Sequence, residues 1–104
     1  MDKAQLEDLI NRKFPNNYDK VGLEKVVTSI EISDVKIRQA IESYLENGDL
    51  PEISQEGYSF KSLTDEKGMN PIAALLTLDW LIKDPEEAKK SLEKGMDAVK
   101  TSKI

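Results

Sequence analysis

The chain has 104 residues, 38% hydrophobic and 34% charged, with a formal net charge of −5 and with neither cysteine nor histidine. This length and composition predict one folded domain over residues 1–104 and exclude an intrinsically disordered chain. Without cysteine and histidine there is no disulfide bond, no thiol nucleophile and no imidazole for general-base catalysis or zinc binding.

The start of the chain and its longest apolar stretch predict a cytoplasmic protein with no membrane contact. Residues 1–5 lack the basic start and apolar core of a secretion signal. The apolar stretch at residues 71–82 is broken by Thr77 and Asp79. It falls short of the roughly 20 residues that a helix needs to span a bilayer.

Three amphipathic helices are predicted in the first half of the chain. Apolar residues recur at helical spacing in residues 3–14 and 19–30, and Pro15 separates the two segments. The third helix is expected to begin after Ser33, a favourable N-cap residue, and to end at Gly48, which adopts a left-handed conformation without strain. Its apolar stripe is Ile37, Ala40, Ile41, Tyr44 and Leu45.

Residues 50–61 predict a small β-hairpin. Tyr58 and Phe60 alternate with polar residues there, and Gly57 lies at the expected turn. Pro51 has no N–H group to donate to a strand ladder, so it fits only the edge of such a hairpin.

Two further helices are predicted within residues 70–100. Asn70 and Asp84 are capping residues that each precede a proline, the residue favoured at the first helical position. The apolar face of the last helix is Ala88, Leu92, Met96 and Val99. The predicted fold class is therefore mainly α with a small β-hairpin.

No residue pattern predicts catalysis, a cofactor or a metal site. The adjacent acids Glu86 and Glu87 lie in the first turn of a predicted helix, where the helix dipole favours negative charge. Residues 65–68 lack the alternating oxygen ligands of a calcium loop, and the glycines are too scattered to form a phosphate-binding loop. We therefore expect a non-enzymatic protein.

The order of elements in residues 19–61 is helix, tight turn, helix, glycine stop and hairpin, which is the layout of a winged helix-turn-helix. In this segment the order and type of Ser33, Ile37, Arg38, Ala40, Ile41, Gly48 and Gly57 resemble the DNA-binding module of gluconate-repressor-type bacterial regulators. The resemblance implies a winged-helix-like three-helix core followed by two C-terminal helices. It also implies a transcription regulator that contacts double-stranded DNA through Ser33, Lys36, Arg38 and Gln39.

The charge of the same segment favours a different partner. Residues 19–61 contain 9 acids (Asp19, Glu24, Glu31, Asp34, Glu42, Glu46, Asp49, Glu52 and Glu56) and 5 bases (Lys20, Lys25, Lys36, Arg38 and Lys61). Phosphate contacts supply most of the non-specific affinity for DNA, and an acidic surface opposes them. The alternative prediction is an acidic protein–protein interaction module that binds a basic partner or mimics the charge of DNA.

The apolar helix at residues 72–82 allows two interpretations. A helix that is apolar on nearly all sides must be covered on most of them, which the core of the domain itself would achieve. Alternatively, one side is a homodimer or partner interface formed by Leu75, Leu76 and Trp80, with the indole as an aromatic anchor. In winged-helix regulators the helix after the wing often forms the dimer contact, and the resemblance implies the same here.

Overall fold

The computed structural model of the protein describes residues 2–15 and 18–94. Backbone contacts divide the chain into two compact units, Met1–Leu50 and Pro51–Ile104. The first unit contains three helices, and the second contains a two-stranded hairpin, a short π-helix and two further helices. The predicted fold class, mainly α with a small β-hairpin, is confirmed. The grouping of both units into one winged-helix-like domain stays a prediction.

The three helices of the first unit are α1 (Lys3–Lys13), α2 (Lys20–Glu31) and α3 (Val35–Asn47). Each of them packs against the other two. The buried residues confirm the helical spacing seen in the sequence, and they are Leu6, Ile10, Val26, Val27, Ile30, Ile37, Ile41 and Leu45. Burying one such side chain stabilises a fold by roughly 1.5–3 kcal/mol, so this set supplies the main driving force for the unit.

The cap of α3 differs from the prediction. Asp34, not Ser33, is the N-cap residue, and its Oδ1 accepts a hydrogen bond from the backbone N–H of Lys36 at 2.9 Å. The Ser33 hydroxyl instead donates to the carbonyl oxygen of Ser29 at 2.7 Å. Ser33 therefore closes the last turn of α2, and the next residue, Asp34, caps the start of α3. The helix ends as predicted at Gly48, whose φ is 75°.

The hairpin opens the second unit. Strands β1 (Ser54–Gln55) and β2 (Tyr58–Ser59) are antiparallel, and Gln55 is paired with Tyr58. The intervening turn is therefore two residues long. Strand β2 leads into the π-helix Ser62–Glu66, which the sequence did not predict.

Two helices follow in the described part of the second unit, α4 (Pro71–Lys83) and α5 (Pro85–Glu93). Both predicted starts are confirmed: the Asn70 side chain accepts from the N–H of Ala73 at 2.9 Å, and Asp84 Oδ1 accepts from the N–H of Glu87 at 3.4 Å. The predicted apolar positions Ala88 and Leu92 are buried. The further positions Met96 and Val99 lie outside the described residues.

Helix α4 is the most buried element of the second unit. Every residue from Ile72 to Asp79 is buried, and Leu81 is buried as well. Within its own unit the helix contacts α5, strand β1 and the π-helix. Its two buried polar side chains are bonded: the Thr77 hydroxyl donates to the Ala73 carbonyl at 2.7 Å, and Asp79 pairs with Lys83 at 3.0 Å. This burial supports the core interpretation of the helix.

Candidate functional site

A connection of three residues joins α2 to α3, and the candidate site is built around it. Ile32 is the C-cap of α2, and its N–H donates to the carbonyls of Thr28 and Ile30. Ser33 follows, and Asp34 caps α3. The last turn of one helix and the first turn of the next are therefore fixed by hydrogen bonds within the turn itself. A short, internally bonded turn of this kind holds two helices of a helix-turn-helix at a defined angle.

The four residues predicted to contact DNA differ in their accessibility. Lys36 and Gln39 are exposed in the first half of α3. Ser33 is half-buried and its hydroxyl is used in the bond to Ser29. Arg38 is half-buried, and its Nε atom lies 3.1 Å from Oε1 of Glu42, one helical turn later. The structure thus leaves Lys36 and Gln39 as the accessible members of this set.

Two exposed apolar side chains lie at the turn, one in it and one directly after it, and sequence reasoning gave neither of them a role. Ile32 is 69% exposed and Val35 is 68% exposed. Ile30 and Ile37, which belong to the apolar stripes of α2 and α3, are buried. The helical spacing contains the signal for this difference, because Ile32 and Val35 both fall outside those stripes.

The exposed charges of α2, α3 and their flanking residues are mostly acidic. All residues from Tyr18 to Leu50 are described, and among them six carboxylates and two lysines are exposed. The exposed carboxylates are those of Asp19, Glu24, Glu31, Asp34, Glu46 and Asp49, and the lysines are Lys20 and Lys36. Arg38 contributes little net positive charge because Glu42 is bound to it. The excess of negative charge seen in the sequence therefore lies on the surface of these helices.

The hairpin tip carries an ion pair with α5. Glu56 and Gly57 form the two-residue turn, and Glu56 Oε2 lies 2.9 Å from Lys89 Nζ. The hydrogen bond from Lys89 to this carboxylate, together with its negative charge, raises the pKa of Lys89. Lys67 lies over the ring of Tyr58 in strand β2, 5.9 Å from its centroid. The cation nearest the tip is thus already paired with a carboxylate.

The residues predicted to form an interface on α4 are mostly covered. Leu75 is fully buried and Leu76 nearly so, while Trp80 is half-buried. A buried side chain contributes to the core of its own chain and offers little surface to a second copy. The predicted homodimer contact through this helix stays a prediction, and of its three residues Trp80 has the most accessible surface.

The described residues give no support to a metal centre or a membrane-spanning helix. Within residues 2–15 and 18–94, no group of three or more aspartates and glutamates is arranged to hold a metal ion. In the same ranges, none of the helices combines the length and hydropathy that crossing a membrane requires.

Comparison of the chain with protein-family models, with curated proteins and with solved structures gives no significant match. The resemblance to gluconate-repressor-type regulators therefore rests on the residues of α2, α3 and the hairpin alone.

Proposed function

We propose that this chain is a non-enzymatic binding protein whose α2–turn–α3 segment recognises a basic region of another protein. The observation that carries the proposal is the charge of that surface, where six exposed carboxylates face solvent against two exposed lysines. The negative potential of such a surface repels a polyphosphate and attracts a cationic partner, and it acts before the two molecules touch.

The position of the carboxylates supports the same partner. Glu31 is the last residue of α2 and Asp34 is the N-cap of α3. In a helix-turn-helix the N-terminal residues of the second helix reach the target, so Asp34 lies beside them. Two exposed carboxylates within four residues of the chain favour lysine or arginine side chains and oppose phosphate groups.

DNA binding is the second candidate, and the geometry of the turn favours it. Three residues join α2 to α3, as in a helix-turn-helix, and a hairpin follows. Lys36 and Gln39 are exposed in the N-terminal half of α3, the half that contacts base edges in such motifs. Lysine pairs with guanine and glutamine with adenine, so both side chains have the chemistry for base contacts.

Two parallel NMR titrations of the isotope-labelled protein separate the candidates, one with a lysine-rich peptide and one with a mixed-sequence DNA duplex. Both are made at low salt, which strengthens electrostatic binding, and are then repeated with added salt. Amide shifts between Glu31 and Gln39 with the peptide alone, reversed by salt, are the expected result. Shifts of α3 with DNA and none with the peptide would overturn the proposal in favour of the second candidate. An absence of shifts with either probe would overturn both.

A further inference from the structure

Two of the large apolar residues that the described structure exposes lie at the same tight turn. Ile32 and Val35 are each more than two-thirds exposed, and only Ser33 and Asp34 separate them. Their Cα atoms therefore lie within roughly 11 Å of each other, close enough for one segment of a partner to reach both. Single exposed apolar residues are common on protein surfaces, whereas here two of them fall within four consecutive residues of one turn.

We propose that Ile32 and Val35 form the apolar centre of the binding site and that Glu31 and Asp34 form its charged rim. The occupant is an amphipathic basic segment of another protein, with an apolar side chain seated on Ile32 and Val35 and with lysine or arginine beside the two carboxylates. This inference rests on the proposed function and specifies the chemistry of its partner.

The two kinds of contact serve different purposes in such a site. The carboxylates attract the basic segment over a distance of about 8 Å at physiological salt, and they orient it. The apolar pair supplies affinity that salt does not screen, since it removes hydrocarbon surface from water. A segment with only basic and polar residues would pair with the carboxylates of the rim and leave Ile32 and Val35 in contact with water.

The charge of the site disfavours the other occupants. In a symmetric contact between two copies the same patch meets itself, so Glu31 and Asp34 would face the like charges of the second copy. Phosphate groups would meet the same two carboxylates. A basic segment is the occupant whose charge complements the rim.

The experiment compares two synthetic peptides of equal length and equal positive charge. One combines lysine with polar residues, and the other combines lysine with leucine at helical spacing. Binding to the full chain is measured by NMR titration and by isothermal calorimetry. The wild-type protein is expected to bind the leucine-containing peptide about tenfold more tightly, a ratio appropriate to the burial of one aliphatic side chain.

Serine substitutions test the apolar centre. Replacing both residues, Ile32→Ser with Val35→Ser, should remove the tenfold preference and leave binding of the polar peptide unchanged. The matched control is Val21→Ser, which removes an apolar residue that is 63% exposed near the start of α2. This control should keep the full preference. All three positions are exposed, so unchanged thermal unfolding is expected and verifies the fold.

Charge substitutions test the rim. Replacing Glu31→Gln with Asp34→Asn should weaken both peptides by about tenfold and flatten the salt dependence of binding. Asparagine is as good an N-cap as aspartate, so Asp34→Asn removes the charge without removing the cap of α3. The matched control is Glu24→Gln with Glu46→Gln, which removes two exposed carboxylates away from the turn and should have the smaller effect.

The outcomes separate this inference from the proposed function. If both peptides bind with equal affinity, or if Val21→Ser abolishes the preference as fully as the turn variant, the apolar centre is wrong while the basic partner stands. If neither peptide binds, both proposals fail. Light scattering over a concentration series tests whether a second copy of the chain occupies the site. A wild-type dimer that dissociates in the Ile32→Ser with Val35→Ser variant would identify the occupant as a second copy and overturn the inference.

Discussion

Glu56 has a backbone φ of 54° at the tip of the hairpin, and its carboxylate is bound to Lys89 on α5 at 2.9 Å. The following residue, Gly57, has a φ of 83°. Two positive φ angles in a two-residue hairpin define a type I′ turn, in which asparagine or glycine is favoured at the first position. Glutamate there is strained, and the ion pair with Lys89 is the compensating contact.

Asparagine at this position is expected to stabilise the protein. Glu56→Asn reduces the left-handed backbone strain, because asparagine adopts this conformation more readily than glutamate, and it removes a solvent-exposed ion pair, a type of contact that contributes little to stability. The midpoint of chemical unfolding should therefore rise. Glu56→Gln is the control, because it keeps the strain and removes the charge, and its midpoint should fall slightly. A lower midpoint for Glu56→Asn than for the wild type would show that the ion pair outweighs the strain.

The Glu56–Lys89 pair also predicts a pH dependence. The hydrogen bond to Glu56 and its negative charge raise the pKa of Lys89 above the ordinary value of 10.5. The folded-state pKa is therefore higher than the unfolded one, so the stabilisation is fully present below about pH 10.5 and is lost as the pH rises through the folded value. Wild type and Glu56→Gln should differ in unfolding midpoint at neutral pH and converge in strong alkali. A difference that does not change with pH would rule out this assignment.

The start of α3 gives a direct test of which residue caps it. Asp34→Ala is expected to lower the free energy of unfolding by about 1 kcal/mol, because the N–H of Lys36 loses its side-chain acceptor. Ser33→Ala should have a smaller effect, since the Ser33 hydroxyl bonds to a carbonyl of α2 that already belongs to a helix. Chemical unfolding of Asp34→Ala, Ser33→Ala and Asp34→Asn ranks the three variants by their free energy of unfolding. A larger loss for Ser33→Ala than for Asp34→Ala would restore Ser33 as the cap.

The sequence predicted those features of the fold that depend on local spacing and local chemistry. Proline after Asn70 and after Asp84 marked both C-terminal helix starts, and Gly48 marked the end of α3. Ser33 and Asp34 are both good capping residues, so the choice between them depended on the Ser29 carbonyl at the end of α2. The bond to that carbonyl is local, four residues back along the chain, but it depends on where α2 ends, which spacing alone does not fix to within a residue.

The candidate site was predicted less completely than the fold. Lys36 and Gln39 are exposed as a DNA-contacting role requires, whereas Arg38 is engaged by Glu42 on its own helix. The exposure of Ile32 and Val35 followed from the phase of the two helices about the turn. The helical spacing already places both residues outside the apolar stripes. It does not fix their position at the turn, which requires helix boundaries known to within a residue.

The burial of α4 predicts a large loss of stability on truncation of its core. Leu75→Ala should lower the free energy of unfolding by about 2–5 kcal/mol, because a fully buried leucine leaves a cavity. Trp80→Ala is the companion variant, since the half-buried indole retains the most accessible surface of the predicted interface residues. Chemical unfolding and light scattering are measured on both. If Leu75→Ala left the stability unchanged but converted a dimer into monomers, Leu75 would instead lie in an interface.

Charge reversal on α3 should change the affinity for a basic protein partner and the affinity for DNA in opposite directions. Lys36→Glu with Arg38→Glu removes two positive charges from a helix whose neighbouring exposed charges are mostly negative. Affinity for a lysine-rich peptide should rise about threefold to tenfold, whereas any affinity for a DNA duplex should be lost. The repulsion between the carboxylate introduced by Arg38→Glu and that of Glu42 destabilises the helix by only about 0.5 kcal/mol, which a thermal unfolding control verifies. Weaker peptide binding by this variant would contradict the acidic-surface proposal, because adding carboxylates to a site for cations can only increase their attraction.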